Sequence, residues 1–206
     1  MRVRYGDVCA CDRPEVTPLG KRLWVMTILI GLMAYSPALA QRMRLDAMER
    51  GQREIGFGFA YGENHRIPSA TKERRAFDQF KLRYGWYTSP TTELAVQFVN
   101  GRTHYAQRNA GVSADMEYRR YFSVRGDTAI GYNFTLGLTY FADGFTDQGT
   151  RFNFTEQIGL VWTQGLTNDS AFTLEYNFSH TSNAGIELPN VGLNASVIGL
   201  TYSWYP

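Results

Sequence analysis

The sequence predicts an all-β fold, an eight-stranded antiparallel barrel of the outer-membrane type that follows a cleavable signal peptide. Three observations lead to this prediction. They are an export signal at the N-terminus, eight segments in which large apolar residues alternate with small or polar ones, and connections that alternate between short and long. A secreted soluble sandwich is the competing class, because it also consists of short alternating strands.

The N-terminal segment has the three parts of a signal peptide. Lys21 and Arg22 form a positive flank, residues 23–35 are an apolar run, and Ala38, Leu39 and Ala40 form a small-x-small cleavage site. The run of 13 residues is shorter than the roughly 18–20 that a membrane-spanning helix needs, which argues against the alternative, a permanent N-terminal anchor. We expect residues 1–40 to be removed and residues 41–206 to form a single barrel domain.

Composition excludes several classes of function. Both cysteines, Cys9 and Cys11, lie in the predicted leader, so we expect neither a disulfide framework nor a cysteine metal site in the mature chain. Without the leader, basic and acidic residues balance, and such a chain has no electrostatic footprint for nucleic acid. No phosphate loop, HExxH motif or cysteine nucleophile occurs, and we expect no cofactor and no metal.

Each predicted strand carries its large apolar side chains on one face. In the first strand Ile55, Phe57 and Phe59 share a face, and glycine and alanine occupy the other. The fourth strand is the weakest, because Arg120 interrupts its apolar row, and the apolar row of the sixth also carries Glu156. The seven later segments, in chain order, are residues 80–86, 94–98, 112–122, 130–140, 152–162, 172–180 and 198–204.

The character of the two faces favours the barrel over the sandwich. A soluble sandwich buries its large apolar face, whereas an outer-membrane barrel turns that face to lipid and places small or polar residues inside. The second face here is rich in Gly, Ala, Thr, Asn and Gln, which suits the narrow lumen of eight strands.

The connections between the predicted strands alternate in length, as in bacterial outer-membrane barrels. Short turns are expected near residues 88–92, 125–128 and 164–170, and longer loops near residues 63–75, 101–110, 142–151 and 182–193. Short periplasmic turns and longer external loops are typical of outer-membrane barrels.

The seventh strand carries a histidine and a serine on its apolar face. His180 and Ser182 are two residues apart, so their side chains point the same way. Both lie at the predicted outer end of the strand. Asn194 has the lipid-facing parity of the eighth strand, and we expect the three side chains to meet outside the barrel at the outer rim. This pattern indicates a serine–histidine pair with an orienting third group.

The segment from His180 to Asn194, HTSNAGIELPNVGLN, resembles the signature of PagL-type lipid A 3-O-deacylases. That family has an H-x-S-N motif followed by a PN-x-G segment on the last hairpin of an eight-stranded barrel. The stretch of residues 152–159 is also similar to the family. The matching residues are His180, Ser182, Asn183, Pro189, Asn190 and Gly192.

The resemblance implies hydrolysis of the ester-linked acyl chain at the 3-position of lipid A, without a metal. It implies that Ser182 is the nucleophile, that His180 is its general base, and that Asn183 stabilises the oxyanion with backbone N–H groups near Gly185. The implied partners are lipid A or lipopolysaccharide and the surrounding lipids of a Gram-negative-type outer membrane, with a homodimer left open.

The chain departs from the family pattern at one position. The family places a glutamate where this sequence has Asn194, and a neutral amide orients an imidazole but stabilises imidazolium less. A turn centred near Thr167 would put Glu156 opposite roughly residue 178, one step from His180. We therefore expect Asn194 to orient His180 with Glu156 as electrostatic support, and Glu187 in the hairpin loop is a second candidate.

Two other functions stay open on the sequence. A non-catalytic small barrel for adhesion or membrane integrity would have the same alternation and loops. An acyltransferase on the same architecture would lengthen lipid A where an esterase shortens it.

Overall fold

The computed structural model describes residues 42–65, 74–104, 108–145 and 148–206. The predicted signal peptide, residues 1–40, lies outside the described residues. Among the described residues, no helix has the length and apolar character needed to cross a membrane.

The chain forms a closed barrel of eight antiparallel strands, which confirms the predicted fold class. Each strand pairs with the next, and β8 pairs with β1 to close the barrel. A short 3₁₀ turn, Leu45–Ala47, precedes the first strand. The strands are β1 Arg53–Asn64, β2 Ala76–Ser89, β3 Thr92–His104, β4 Asn109–Arg125, β5 Thr128–Phe141, β6 Phe152–Thr167, β7 Ser170–Ser182 and β8 Leu193–Trp204.

The exterior of the barrel is apolar. Phe57, Phe98 and Leu160 are 51%, 51% and 61% exposed, and similar side chains cover every strand. In water such a surface would be strongly unfavourable, whereas in a bilayer it faces hydrocarbon. The alternation that the sequence shows therefore places large apolar residues outside, and the barrel is an outer-membrane protein rather than a soluble sandwich.

The middle of the lumen is filled by paired charges. Arg83 Nη1 contacts Glu54 Oε2 at 2.5 Å and Glu93 Oε1 at 2.7 Å, and Arg83 Nε donates to Glu117 Oε2 at 2.9 Å. All four side chains are essentially inaccessible to solvent. Because an unpaired charge in such a place is costly, the pairs hold these side chains in one arrangement.

A second group of charges extends this lumenal network. Arg119 Nη2 contacts Glu117 Oε1 at 3.1 Å and Glu175 Oε1 at 3.3 Å, and Lys81 Nζ contacts Glu175 Oε2 at 2.9 Å. The network therefore ties β2, β4 and β7 together across the interior. A lumen occupied in this way leaves the exterior as the surface on which a lipid can lie.

The N-terminal segment packs into the end of the barrel that carries the short turns. Met43 and Leu45 are buried in a cluster with Tyr87 and Tyr205, and the backbone N–H of Leu45 donates to Gly126 O at 2.7 Å. The long connections lie at the opposite end. Since bacterial barrels keep short turns in the periplasm, the long-loop end faces the cell exterior.

Candidate active site

His180 lies near the outer end of β7, on the lipid-facing side. It is half-buried, and it follows the exposed Phe178 on the same face. In the β7–β8 ladder His180 is directly opposite Asn194, and the atoms His180 Nδ1 and Asn194 Oδ1 are 2.7 Å apart. The structure therefore brings together the histidine and the asparagine that the sequence analysis singled out.

This hydrogen bond determines which ring nitrogen can act as a base. An amide oxygen only accepts, so with Oδ1 as the partner atom Nδ1 must carry the hydrogen and donate it. In this tautomer the neutral imidazole has its lone pair on Nε2. Nε2 is thus the atom that can take a proton from a nucleophile.

Ser182 is the last residue of β7 and is half-buried. Its side chain shares the exterior face with His180, and the residue opposite it on β6 is Phe154. The structure records no hydrogen bond between Ser182 Oγ and the imidazole. Catalytic hydrogen bonds are often long before substrate binds, so the shared face and the two-residue spacing are the relevant geometry.

Glu156 lies directly opposite His180 in the β6–β7 ladder. The expected register, with Glu156 opposite roughly residue 178, is therefore wrong by two residues. The cause is the position of the turn, because Thr167 pairs with Ser170 and the turn is therefore centred between residues 168 and 169. The register shift between Gly165 and Thr167 then reduces the difference by one residue. The carboxylate is exposed on the lipid-facing side and has no recorded hydrogen bond to the imidazole.

The loop after β7 is held by the side chain of Asn183. This residue is fully buried, its Nδ2 donates to Glu187 O at 2.7 Å, and its Oδ1 accepts from the backbone N–H of Gly185 at 2.9 Å. Its own backbone N–H donates to Asn190 Oδ1 at 3.0 Å. The polar groups predicted to meet the oxyanion are therefore engaged in shaping the loop, and Glu187 contributes its carbonyl while its side chain is exposed.

The loop between β5 and β6 braces the β7–β8 loop. Gln148 pairs with Asn190 as an isolated bridge, and Gln148 Nε2 donates to Val191 O at 2.7 Å. The backbone N–H of Gly149 donates to Pro189 O at 2.5 Å. Gln148 and Gly149 are supporting residues that the sequence analysis missed, because nothing in the local pattern shows that two distant loops touch.

Gly192 packs against the imidazole of His180. A Cβ atom on Gly192 would lie 2.5 Å from His180 Cε1, closer than real Cβ atoms approach. Gly185 differs, since its φ of +77° is the reason for glycine there and a Cβ would meet nothing within 4 Å. The PN-x-G segment of the sequence contained Gly192, but only the structure shows that it makes room for the imidazole of His180.

Among the described residues, no group of three or more His, Cys, Asp or Glu side chains is placed to hold a metal ion. The candidate site at the outer rim of the barrel consists of His180, Ser182, Asn194 and Glu156.

Comparisons with known proteins identify the family and the fold. The sequence matches the family described as "Lipid A 3-O-deacylase (PagL)" over residues 74–203. The fold is similar to the crystal structure of the outer membrane enzyme PagL, with 17% identity, 72% of this chain and 97% of that chain covered, and a TM-score of 0.50. It is also similar to Neisserial surface protein A (NspA), with 10% identity, 74% and 96% coverage, and a TM-score of 0.54. No curated protein matches the sequence. Because the family match spans more than half of the chain, including β7 and β8 as far as residue 203, the chain belongs to the PagL lipid A 3-O-deacylase family.

Proposed function

We propose that this chain is an outer-membrane serine esterase that removes the ester-linked acyl chain at the 3-position of lipid A. One observation carries the proposal: the His180–Asn194 hydrogen bond leaves Nε2 unprotonated on the lipid-facing surface, on the same face as Ser182. The family match supports the lipid A substrate. We further propose that residues 1–40 are the signal peptide that exports the barrel.

In the first half-reaction Ser182 Oγ attacks the ester carbonyl of the substrate. His180 Nε2 takes the hydroxyl proton, and the tetrahedral intermediate then collapses to an acyl-serine. The C–O bond to the sugar breaks, and the released sugar hydroxyl takes the proton back from Nε2. In the second half-reaction water attacks the acyl-serine with His180 again as base, and it frees the fatty acid and Ser182.

Asn194 has the role of keeping the imidazole in the productive tautomer. Because Asn194 Oδ1 accepts from Nδ1–H, the ring can approach Ser182 only with its basic nitrogen. A neutral amide gives less stabilisation to the imidazolium that forms than a carboxylate does. We propose that Glu156, directly opposite His180 on β6, supplies the missing negative charge from the side.

Asn183 and Gly185 remain our proposed oxyanion residues. In the free protein Asn183 Nδ2 donates to Glu187 O, and the backbone N–H of Gly185 donates to Asn183 Oδ1. As the acyl carbonyl of the substrate enters, these two donors would exchange their present partners for the substrate oxygen. Removing one oxyanion donor typically costs about 10²–10³ in turnover.

The test is mass spectrometry of lipid A after incubation with the refolded barrel. We expect the loss of one acyl unit with the native chain, and no loss with Ser182→Ala or His180→Ala. Ser123→Ala, at the periplasmic end of β4, is the matched control and should retain activity. No mass change with the native chain refutes the proposal and leaves a non-catalytic barrel, whereas a gain in mass indicates acyl transfer.

A further inference from the structure

A second polar cluster interrupts the apolar exterior beside the candidate active site. The atoms His65 Nε2 and Ser196 Oγ are 2.8 Å apart, and Tyr176 OH lies 2.9 Å from the same Ser196 Oγ. The imidazole of His65 also stacks on Phe178, with ring centroids 6.2 Å apart and planes 9° apart. Two side chains, one from β7 and one from the residue after β1, thus converge on a serine hydroxyl of β8.

This cluster has one more hydrogen than its internal bonds use. A neutral imidazole carries one N–H, and the hydroxyls of Ser196 and Tyr176 carry one O–H each. The two hydrogen bonds within the cluster use two of these three hydrogens. Whichever tautomer His65 adopts, one hydrogen remains to be donated to a further acceptor. In an oily environment an unsatisfied donor is costly, so an acceptor is strongly favoured there.

The cluster adjoins the catalytic candidates on their membrane side. Ser196 follows Asn194 by two residues on the same face of β8, roughly 6.6 Å further towards the membrane interior. The backbone N–H of His65 donates to Asn194 O at 2.7 Å. An acyl chain whose ester lies at His180 and Ser182 and whose tail runs down the barrel wall would pass this cluster.

The surroundings favour an uncharged acceptor. Exposed apolar side chains, Phe178 and Ile198 among them, border the cluster, and such surroundings suit an uncharged oxygen better than a charged group. The carboxylate of Glu63, which lies opposite Ser196 on β1, would repel a phosphate. Glu63 is itself paired with Arg74 at 2.9 Å.

We propose that His65, Ser196 and Tyr176 form a specificity subsite that donates a hydrogen bond to an uncharged oxygen on the acyl chain of the substrate. The inference rests on the proposed esterase function and adds to it a preference for oxygenated acyl chains. Two sources of this oxygen share the chemistry: a hydroxyl group, and the carbonyl of an acyloxy branch.

The experiment compares three p-nitrophenyl esters with the refolded full chain. One has a plain saturated acyl chain, one has the same chain with a hydroxyl near the ester, and one has an acyloxy branch at that position. We expect kcat/KM to be about 3- to 10-fold higher for one of the oxygenated esters, mainly through KM, since one hydrogen bond is gained. The ester that is preferred identifies the source of the oxygen.

The combined variant His65→Phe, Ser196→Ala, Tyr176→Phe has no donor left in the cluster and should bring this preference to about one while the plain ester is hydrolysed as before. A single replacement leaves at least one unused N–H or O–H in the cluster, so the combined variant is the decisive one, and phenylalanine at position 65 keeps a ring over Phe178. Tyr140→Phe, an outward-facing tyrosine on β5, is the matched control and should keep the preference.

Two results overturn the inference without touching the proposed function: a native chain with no preference, and variants that lose activity equally on all three esters. If the native chain hydrolyses neither these esters nor lipid A, the proposed function fails instead. In that case the subsite is tested by binding of lipid A, which is measured as the rise in the unfolding midpoint when lipid A is added. An equal rise for the native chain and the combined variant overturns the inference, and a smaller rise for the combined variant supports it.

Discussion

Replacing Gly192 by alanine should impair catalysis while leaving the barrel intact. The new Cβ would lie 2.5 Å from His180 Cε1, 3.3 Å from Nδ1 and 3.4 Å from Nε2. Ordinary contact begins near 3.4 Å, so the ring must recede by about 0.9 Å. Gly192 has no positive φ, and alanine is therefore compatible with the backbone there.

The size of the effect follows from what that displacement does to the imidazole. The bond between His180 Nδ1 and Asn194 Oδ1 is 2.7 Å long, and a retreat of about 0.9 Å along it would exceed the roughly 3.2 Å limit of N–H···O bonds. The ring would then no longer be held in the tautomer that leaves the lone pair on Nε2. A misplacement of about 1 Å costs up to about 10²-fold in rate, and we expect a fall in kcat of that order.

The assay is the initial rate of acyl release from lipid A, followed by mass spectrometry, with the unfolding midpoint measured on the same samples. Gly101→Ala is the matched control, since a Cβ there meets nothing closer than 3.6 Å and β3 lies across the barrel from β7. The reasoning is refuted if Gly192→Ala keeps the native kcat, or if Gly101→Ala loses as much.

Three further changes test other parts of the structure. Asn194→Glu should raise kcat about 10-fold, because a carboxylate stabilises the His180 imidazolium better than an amide; a fall in kcat would show that the amide itself is needed. Arg83→Met should lower the free energy of unfolding by about 3–5 kcal/mol, since it leaves three buried carboxylates without their common partner. Urea unfolding in lipid vesicles measures this free energy, and an unchanged unfolding midpoint contradicts the prediction. Asn183→Ala should make the loop of residues 183–192 mobile, because the side chain of Asn183 holds this loop by two hydrogen bonds. Limited proteolysis would then detect a new cleavage in the loop while the strands stay protected, and an uncut loop would falsify this role of Asn183.

Much of the fold could be predicted because a strand has a period of two. The alternation of Ile55, Phe57 and Phe59 with glycine and alanine already assigns each residue to lipid or lumen. Even the interrupted fourth strand follows this rule, since Arg120 faces outward near the periplasmic end and bonds Thr92 on the neighbouring strand. The ends of the strands were less predictable, because the structure extends β4 to Asn109–Arg125 through a register shift.

The catalytic pair could be proposed from its spacing, whereas its neighbours could not. The parity of His180 and Ser182 is local, and the family motif supplied their roles. The pairing of Glu156 with His180 depends on a shift near Gly165, where one extra residue changes every pair beyond it. No pattern within a single strand contains that information.

Local alternation and one short motif in the chain were thus enough to decide that this is a lipid-facing barrel with a serine and a histidine on its outer wall. The tertiary structure decided which groups surround them: Glu156 across the ladder, Gly192 against the ring, and the cluster of His65 with Ser196. The physical reason is that side-chain direction follows from the backbone of each strand alone. Contacts between strands depend instead on register, bulges and loops that only the closed barrel brings together.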